Sequence, residues 1–414
     1  MIVKKRTQYS LSISAWCGNL FEHYDAALFG FLSPFLAPLI FPQQEPITAL
    51  ILTYAMIPLG MLARPFGSLI FGRIGDKRGR EQALFLSLSG MAIVSASIAF
   101  SPTYAQAGIL APIIFCIGRV MQNFFASGES MGGAIYLLEN SPEKKHDWLS
   151  GLYNASTIGG ILLASAGVLL LCIYDQVESG WRILYLFGTL TALFGLFLRR
   201  VRLTKANTQT LQDQNLMRLF WEYRRPLFCI MISAGFSYAN YTIALVLMNG
   251  FIPLVTSFSK AQMMGMNTFL LILDFCALPF FGWLSSKVSR EKLMFFSSAL
   301  AALCAIPLCM LIKEGAISSI IFARIFLVLL GVAFFAPFHA WVLQLIPSSY
   351  RYLLISFGYS IGTQLFGGPT SAISLWLYKT TGIVSSIAWY WMALAFASSF
   401  VLLFTIRNKK EVAI

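Results

Sequence analysis

Arg64-Pro-Phe-Gly-Ser-Leu-Ile-Phe-Gly-Arg-Ile-Gly-Asp-Lys-Arg-Gly-Arg80 starts inside an apolar run and ends in a tight basic turn. Gly72, Gly75 and Gly79 let the backbone turn sharply and let two helices approach closely. Arg73, Lys77, Arg78 and Arg80 crowd four positive charges into that turn, which pins it to the cytoplasmic face of a membrane. Asp76 is the lone acid among them, placed to pair across the turn or to meet a helix N-terminus. The stretch reads as a short loop joining two membrane helices.

The composition agrees. Apolar residues make up 57% of the 414 and charged residues only 11%, and the mean hydropathy is +0.72; these values exclude a soluble globular protein. Seven cysteines all lie in apolar runs, with neither paired nor metal-ligand spacing, so they read as small buried residues. Lys4, Lys5 and Arg6 precede the first apolar run as in a signal peptide, but that run holds Glu22, His23 and Asp25. It continues for about thirty residues, which suits a retained span.

Apolar runs fall near 11–40, 48–72, 82–100, 108–134, 148–172 and 181–199, and resume near 227–252, 262–284, 292–312, 318–341, 352–378 and 382–406. They predict an all-α integral membrane protein with twelve transmembrane helices in two six-helix bundles. The bundles cover 1–200 and 227–414, with a polar cytoplasmic linker over 201–226. With the N-terminus in the cytoplasm, 23 Lys/Arg fall on inner segments, four (Arg182, Lys260, Lys313, Lys379) on outer loops and three (Arg64, Arg119, Arg324) within spans. That bias sets both termini inside. It also attributes the net charge of +13 to loops facing anionic lipid, with no nucleic-acid partner. Gly282-Trp-Leu-Ser-Ser-Lys-Val-Ser-Arg-Glu291 lies 210 residues after Gly72–Glu81 and repeats its Gly, Lys, Arg and Glu, with Ser286 in place of Asp76.

A charge inside hydrocarbon costs about 2.5–3.5 kcal/mol on insertion scales, so each one asks for a reason. Asn19, Glu22, Asp25 and Phe29 follow at spacings of three, three and four, which stacks them on one helical face. Asp25 lies about 20 Å up from Leu11, and Arg119 about 15 Å down from Ile109, at 1.5 Å per residue. Both fall at mid-membrane, and each is the other's expected partner. Gln122, Asn123 and Ala126 continue the Arg119 face. Arg64 either snorkels to the inner interface or pairs with Glu129 or Glu139. Asp274 is expected to line a cavity, Arg324 to snorkel at the outer end of helix 10, and His339 to be structural. Tyr238, Asn240, Tyr241 and Asn249, with Tyr359, Ser360, Thr363 and Gln364, mark the cavity-facing sides of helices 7 and 11; interhelical hydrogen bonding is the competing reading.

The loop motif with Gly72, Asp76, Lys77, Gly79 and Arg80 resembles the loop between helices 2 and 3 of the major facilitator superfamily, with Glu81 where a base is usual. Arg64-Pro65-Phe66-Gly67, Gly18-Asn19-Leu20-Phe21-Glu22-His23-Tyr24-Asp25, Arg119-Val-Met-Gln122 and Ser127-Gly128-Glu129 are similar to its metabolite:proton symporter branch, the proline/betaine, shikimate, citrate and 2-oxoglutarate permeases. His23 departs from that pattern, which has an aromatic; it either packs as neutral imidazole or contacts cargo. The resemblance implies two related halves with a binding site between them at mid-membrane. It implies proton-coupled uptake of a small carboxylate or zwitterion by alternating access across a bacterial inner membrane. Asp25, Arg119 and Glu22 would handle the proton. Asn19, His23, Gln122, Asn123, Asn240, Tyr241, Asp274, Tyr359 and Gln364 would line the cavity, and Arg64, Gly72, Asp76, Arg80 and Glu129 would gate it. Export of drugs or metabolites, or import of a carboxylate siderophore, is the alternative. No G-x-x-x-x-G-K-[ST] loop for nucleotide occurs, which argues against an ATP-driven pump. Three histidines without ligand spacing argue against a membrane enzyme, and a receptor would want a soluble output domain. No cofactor or metal is expected, and the chain is expected to be monomeric.

Overall fold

The computed structural model describes the backbone of residues 2–67, 70–71, 74, 80–127, 131–139, 141–200 and 216–412. Among the described residues, twelve helices carry the fold. The first half holds α1 (Ile2–Ile40), α2 (Pro46–Met61), α3 (Arg80–Ala99), α4 (Leu110–Ala126), α5 (His146–Ile173) and α6 (Val177–Arg200). The second holds α7 (Arg224–Tyr241), α8 (Lys260–Val288), α9 (Arg290–Lys313), α10 (Ile317–Phe335), α11 (Arg351–Gly362) and α12 (Trp389–Val412). Among the described residues, seven helical stretches are both long and apolar enough to cross a membrane, and Leu86–Ala99 and Leu110–Ala126 are shorter apolar helices. Of the stretch expected as linker, 201–215 lies outside the described residues, whereas Leu216–Glu222 forms a short helix.

Several helices break and resume. After Ala126, α4 resumes as Gly132–Glu139. After Phe335, α10 resumes as Phe338–Leu345, the break falling at Pro337, which cannot donate a backbone hydrogen bond. Two breaks are of another kind. Beyond Tyr241, α7 widens into i→i+5 turns over Thr242–Leu247 before continuing as Met248–Val255. Beyond Gly362, α11 does the same over Thr363–Gly367, where Gly368 N–H reaches Thr363 O at 2.7 Å. Such turns leave backbone carbonyls off the regular ladder, and they concentrate at functional sites.

Helix pairing repeats with a shift of six. The contacts α1–α5, α3–α4 and α3–α6 of the first half recur as α7–α11, α9–α10 and α9–α12 of the second. Helix α5 packs along α8 across the junction of the halves. Gly151 on α5 faces Gly282 on α8: a Cβ on Gly151 would sit 2.5 Å from Leu278 O, and one on Gly282 2.7 Å from Asp147 O. Only glycines permit that approach. Gly282, singled out in the sequence as a degenerate copy of a loop glycine, serves packing between the halves.

Candidate functional site

Asp25, 3% exposed, points from α1 into the first half. Ser95 Oγ on α3 donates to its Oδ2 at 2.7 Å, and the Gln122 amide on α4 donates to the same oxygen. Arg119, one turn before Gln122, donates to the Gln122 carbonyl and lies 4.6 Å over the Phe29 ring. The direct Asp25–Arg119 pair expected from depth is therefore replaced by a bridge. Gln122, expected in the cargo cavity, forms it, because one primary amide offers a donor to the acid and an acceptor to the guanidinium together. Asp25 Oδ1 and Arg119 Nε are buried without a hydrogen-bond partner among the described residues. The pair thus keeps unused capacity on both sides of the bridge. Ser95 carried no signal in the sequence, since a serine in an apolar run is unremarked.

The polar face of α1 fans out to different neighbours. Asn19 donates to Ser156 Oγ and Thr157 Oγ1 on α5 at 2.9 and 2.8 Å, so it joins helices and leaves the cavity expectation behind. His23 contacts Asn19 O through Nδ1 at 2.8 Å and lies within electrostatic reach of His339. Glu22 lies within electrostatic reach of Tyr153 on α5 and Tyr359 on α11.

Arg64, on the continuation of α2, donates from Nε to Asn123 Oδ1 at 2.9 Å, and Asn123 in turn donates to Arg119 O at 3.0 Å. Glu139, one of its expected partners, instead pairs with Arg351 at 3.1 Å. Arg64 is within electrostatic reach of Tyr238 and Tyr359. Glu22, Arg64, Tyr153, Tyr238 and Tyr359 thus gather from five helices where the halves meet.

Other expectations sort differently. Asn240, 2% exposed, turns to α10 and donates to Leu327 O at 3.2 Å, so it packs inside the second half. Tyr241 rings with Tyr238 at 6.1 Å and lies within electrostatic reach of Asp274, which is buried on α8. Gln364 is buried with its Nε2 lacking a partner among the described residues. His339 is buried, with Tyr153 and Phe335 both 5.6 Å away, its ring packed in an aromatic cage across the junction. Arg324 does not snorkel: it is 0% exposed, because α10 turns it inward to backbone and amide acceptors on α7 and α8.

Of the expected gate, Gly72, Asp76 and Glu129 and the Arg80 side chain lie outside the described residues. Two groups of polar contacts join the halves. At the end bearing the basic loops, Arg290 meets Asp147 at 2.5 Å, Arg351 meets Glu139, and Ser150 and Asn154 on α5 donate to Ala336 O and Phe335 O at 2.7 and 2.8 Å. At the far end, Lys379 pairs with Glu45 at 3.0 Å and donates to Thr48, Lys260 Nζ donates to Pro34 O at 2.6 Å, and Tyr54 donates to Val246 O at 3.1 Å. The Lys379 ammonium, by hydrogen bond and charge, holds the exposed Glu45 carboxyl below its ordinary range.

Comparison with known proteins fits this geometry. Residues 11–201 match the family described as sugar (and other) transporters. A putative proline/betaine transporter of Staphylococcus haemolyticus (strain JCSC1435) is 27% identical, the alignment covering 94% of this chain and 85% of that protein. The alpha-ketoglutarate permease of Escherichia coli (strain K12) is 28% identical, over 96% and 94%. The citrate-proton symporter of Klebsiella pneumoniae is 29% identical, over 91% and 87%. The crystal structure of a D-xylose-proton symporter superimposes with a TM-score of 0.78 at 16% identity, over 95% of this chain and 97% of that one.

Proposed function

We propose, given that this chain belongs to the major facilitator superfamily and is a multi-pass transporter rather than an enzyme, that it couples proton entry to uptake of a small carboxylate or zwitterion by alternating access. The observation that carries the reading is the Asp25–Gln122–Arg119 bridge, an acid and a cation buried together with one neutral amide between them. A buried carboxyl and a buried guanidinium each favour the other's charge, so a shift of Arg119 changes how readily Asp25 gives up a proton. Arg64, held by Asn123 next to that bridge and within electrostatic reach of Tyr238 and Tyr359, is the cation we assign to the cargo carboxylate. Glu22 stands by as the second acid.

Uptake in proteoliposomes tests the reading. Labelled 2-oxoglutarate, citrate, proline and betaine are offered with and without an inward proton gradient. Accumulation of at least one, only with the gradient, is expected. Gradient-independent equilibration of all of them, or outward pumping, overturns proton-driven uptake.

We further propose that the chain is a monomer in a bacterial inner membrane and, on the 23-to-4 distribution of Lys/Arg, that both termini and the linker are cytoplasmic. A cysteine placed at Asn207 in that linker is expected to resist an impermeant maleimide in intact cells and to react after lysis. Labelling in intact cells reverses the topology.

A further inference from the structure

Arg324 makes four hydrogen bonds to two neighbouring helices while having no exposed surface. Its Nη2 donates to Ala244 O at 3.1 Å, Asn249 Oδ1 at 3.0 Å and Asn267 Oδ1 at 3.0 Å, and Nη1 to Met263 O at 3.4 Å. None of these acceptors is a carboxylate. Ala244 lies within the wide turn of α7, Asn249 just beyond it, and Met263 and Asn267 on α8. Asn249 also donates to Leu245 O, a second carbonyl of the same turn, at 2.7 Å.

The elements gathered by Arg324 are among those that touch the first half at the far end. Tyr54 on α2 donates to Val246 O of the wide turn. A Cβ on Gly250 would lie 2.9 Å from Leu50 Cδ2 and 3.3 Å from Pro34 Cγ, so α7 runs directly against α1 and α2 there. Asn267 donates to Ser165 Oγ on α5 at 3.3 Å. A planar guanidinium serves several acceptors in fixed directions, which an ammonium cannot reproduce.

We propose that Arg324 is a positioning residue of the transport cycle. It clamps the widened turn of α7 to α8 and α10, so that the three move as one panel whose contacts with α1, α2 and α5 close the far end. The proposal rests on alternating access for the opening of that end; the clamp itself is a separate property. The charge of Arg324 does not contact cargo. Its service is to keep Val246 O and Gly250 where α2 can meet them.

The test uses the full chain in proteoliposomes with its native cysteines replaced by serine and one of two cysteine pairs added. The pair Leu50→Cys with Gly250→Cys reports far-end closure, and Glu139→Cys with Arg351→Cys reports closure of the basic end. A short bismaleimide is the probe. Arg324→Gln is expected to lower far-end crosslinking about tenfold, the factor that corresponds to one lost charge-assisted hydrogen bond, while basic-end crosslinking holds. Arg324→Lys should rescue little. Loss of both crosslinks with a lower thermal midpoint marks general destabilisation and overturns the positioning role, as does parental far-end yield in a folded variant. Should Arg324→Gln not fold, Asn249→Leu, which removes one acceptor and keeps the arginine, is expected to lower the far-end yield alone; an unchanged yield there overturns the clamp. Alternating access is read apart from this, by reaction of a single Gly250→Cys with a water-soluble maleimide in the parent. No reaction at all removes the opening of the far end and leaves the clamp to be judged by the crosslinks.

Discussion

Asp25→Asn is expected to abolish proton-driven accumulation while exchange of cargo down its own gradient continues. Asparagine is nearly the size of aspartate, and its carbonyl can still accept from Ser95 Oγ and the Gln122 amide, the two donors that hold Asp25. The fold should therefore survive. What is lost is a group that can be charged in one facing state and neutral in the other, and coupling requires that difference in proton occupancy between states. With an imposed gradient, the internal cargo concentration should rise only to the external one. Counterflow of preloaded labelled cargo should persist. A static role makes the opposite forecast. If Asp25 serves only to compensate Arg119, its loss leaves a buried cation without its acid, at a cost of about 3–5 kcal/mol. Folding, exchange and accumulation would then decline together. Full gradient-driven accumulation in well-expressed Asp25→Asn protein removes the residue from coupling and passes the role to Glu22.

Gly151→Val should hold the basic end of the two halves apart and stop the cycle. The two glycines at this crossing leave no room for a side chain: a Cβ at 151 falls 2.5 Å from Leu278 O, a backbone atom that cannot rotate away. Overpacking of this kind costs about 1–3 kcal/mol, and here the cost falls only on the state in which α5 and α8 touch. That state should lose population by about fivefold to a hundredfold. Transport should fall in step, and single cysteines at Ser150 or Ala336, joined here by a hydrogen bond at 2.7 Å, should react faster with maleimide. Gly151→Ala, with two carbons fewer to accommodate, should lie between. Unaltered transport by Gly151→Val would mean that the halves do not need this contact to cycle.

The sequence by itself determined the class and the outline. Twelve apolar runs, a run of four bases between Arg73 and Arg80, and a weak repeat 210 residues on are local properties of composition and spacing. They survive because a membrane demands about twenty apolar residues per span whatever the span packs against. The helical period also placed Arg119, Gln122 and Asn123 on one face, and all three are buried. The tertiary structure alone decided which neighbour each face meets. Gln122 reaches an acid 97 residues away, and no period within α4 names that partner. Arg324 looked like a snorkelling cation from its place near a helix end, but helices far off in sequence bring it neutral acceptors from α7 and α8. Asn240 shares a polar stretch with Tyr241, yet successive helical residues point about 100° apart, and only the position of α10 sends Asn240 into the second half. Gly282 resembled a loop glycine in sequence, and what it does was settled by Gly151 on the helix lying against it. Spacing fixes a direction around one helix axis. What stands in that direction depends on how twelve axes are packed.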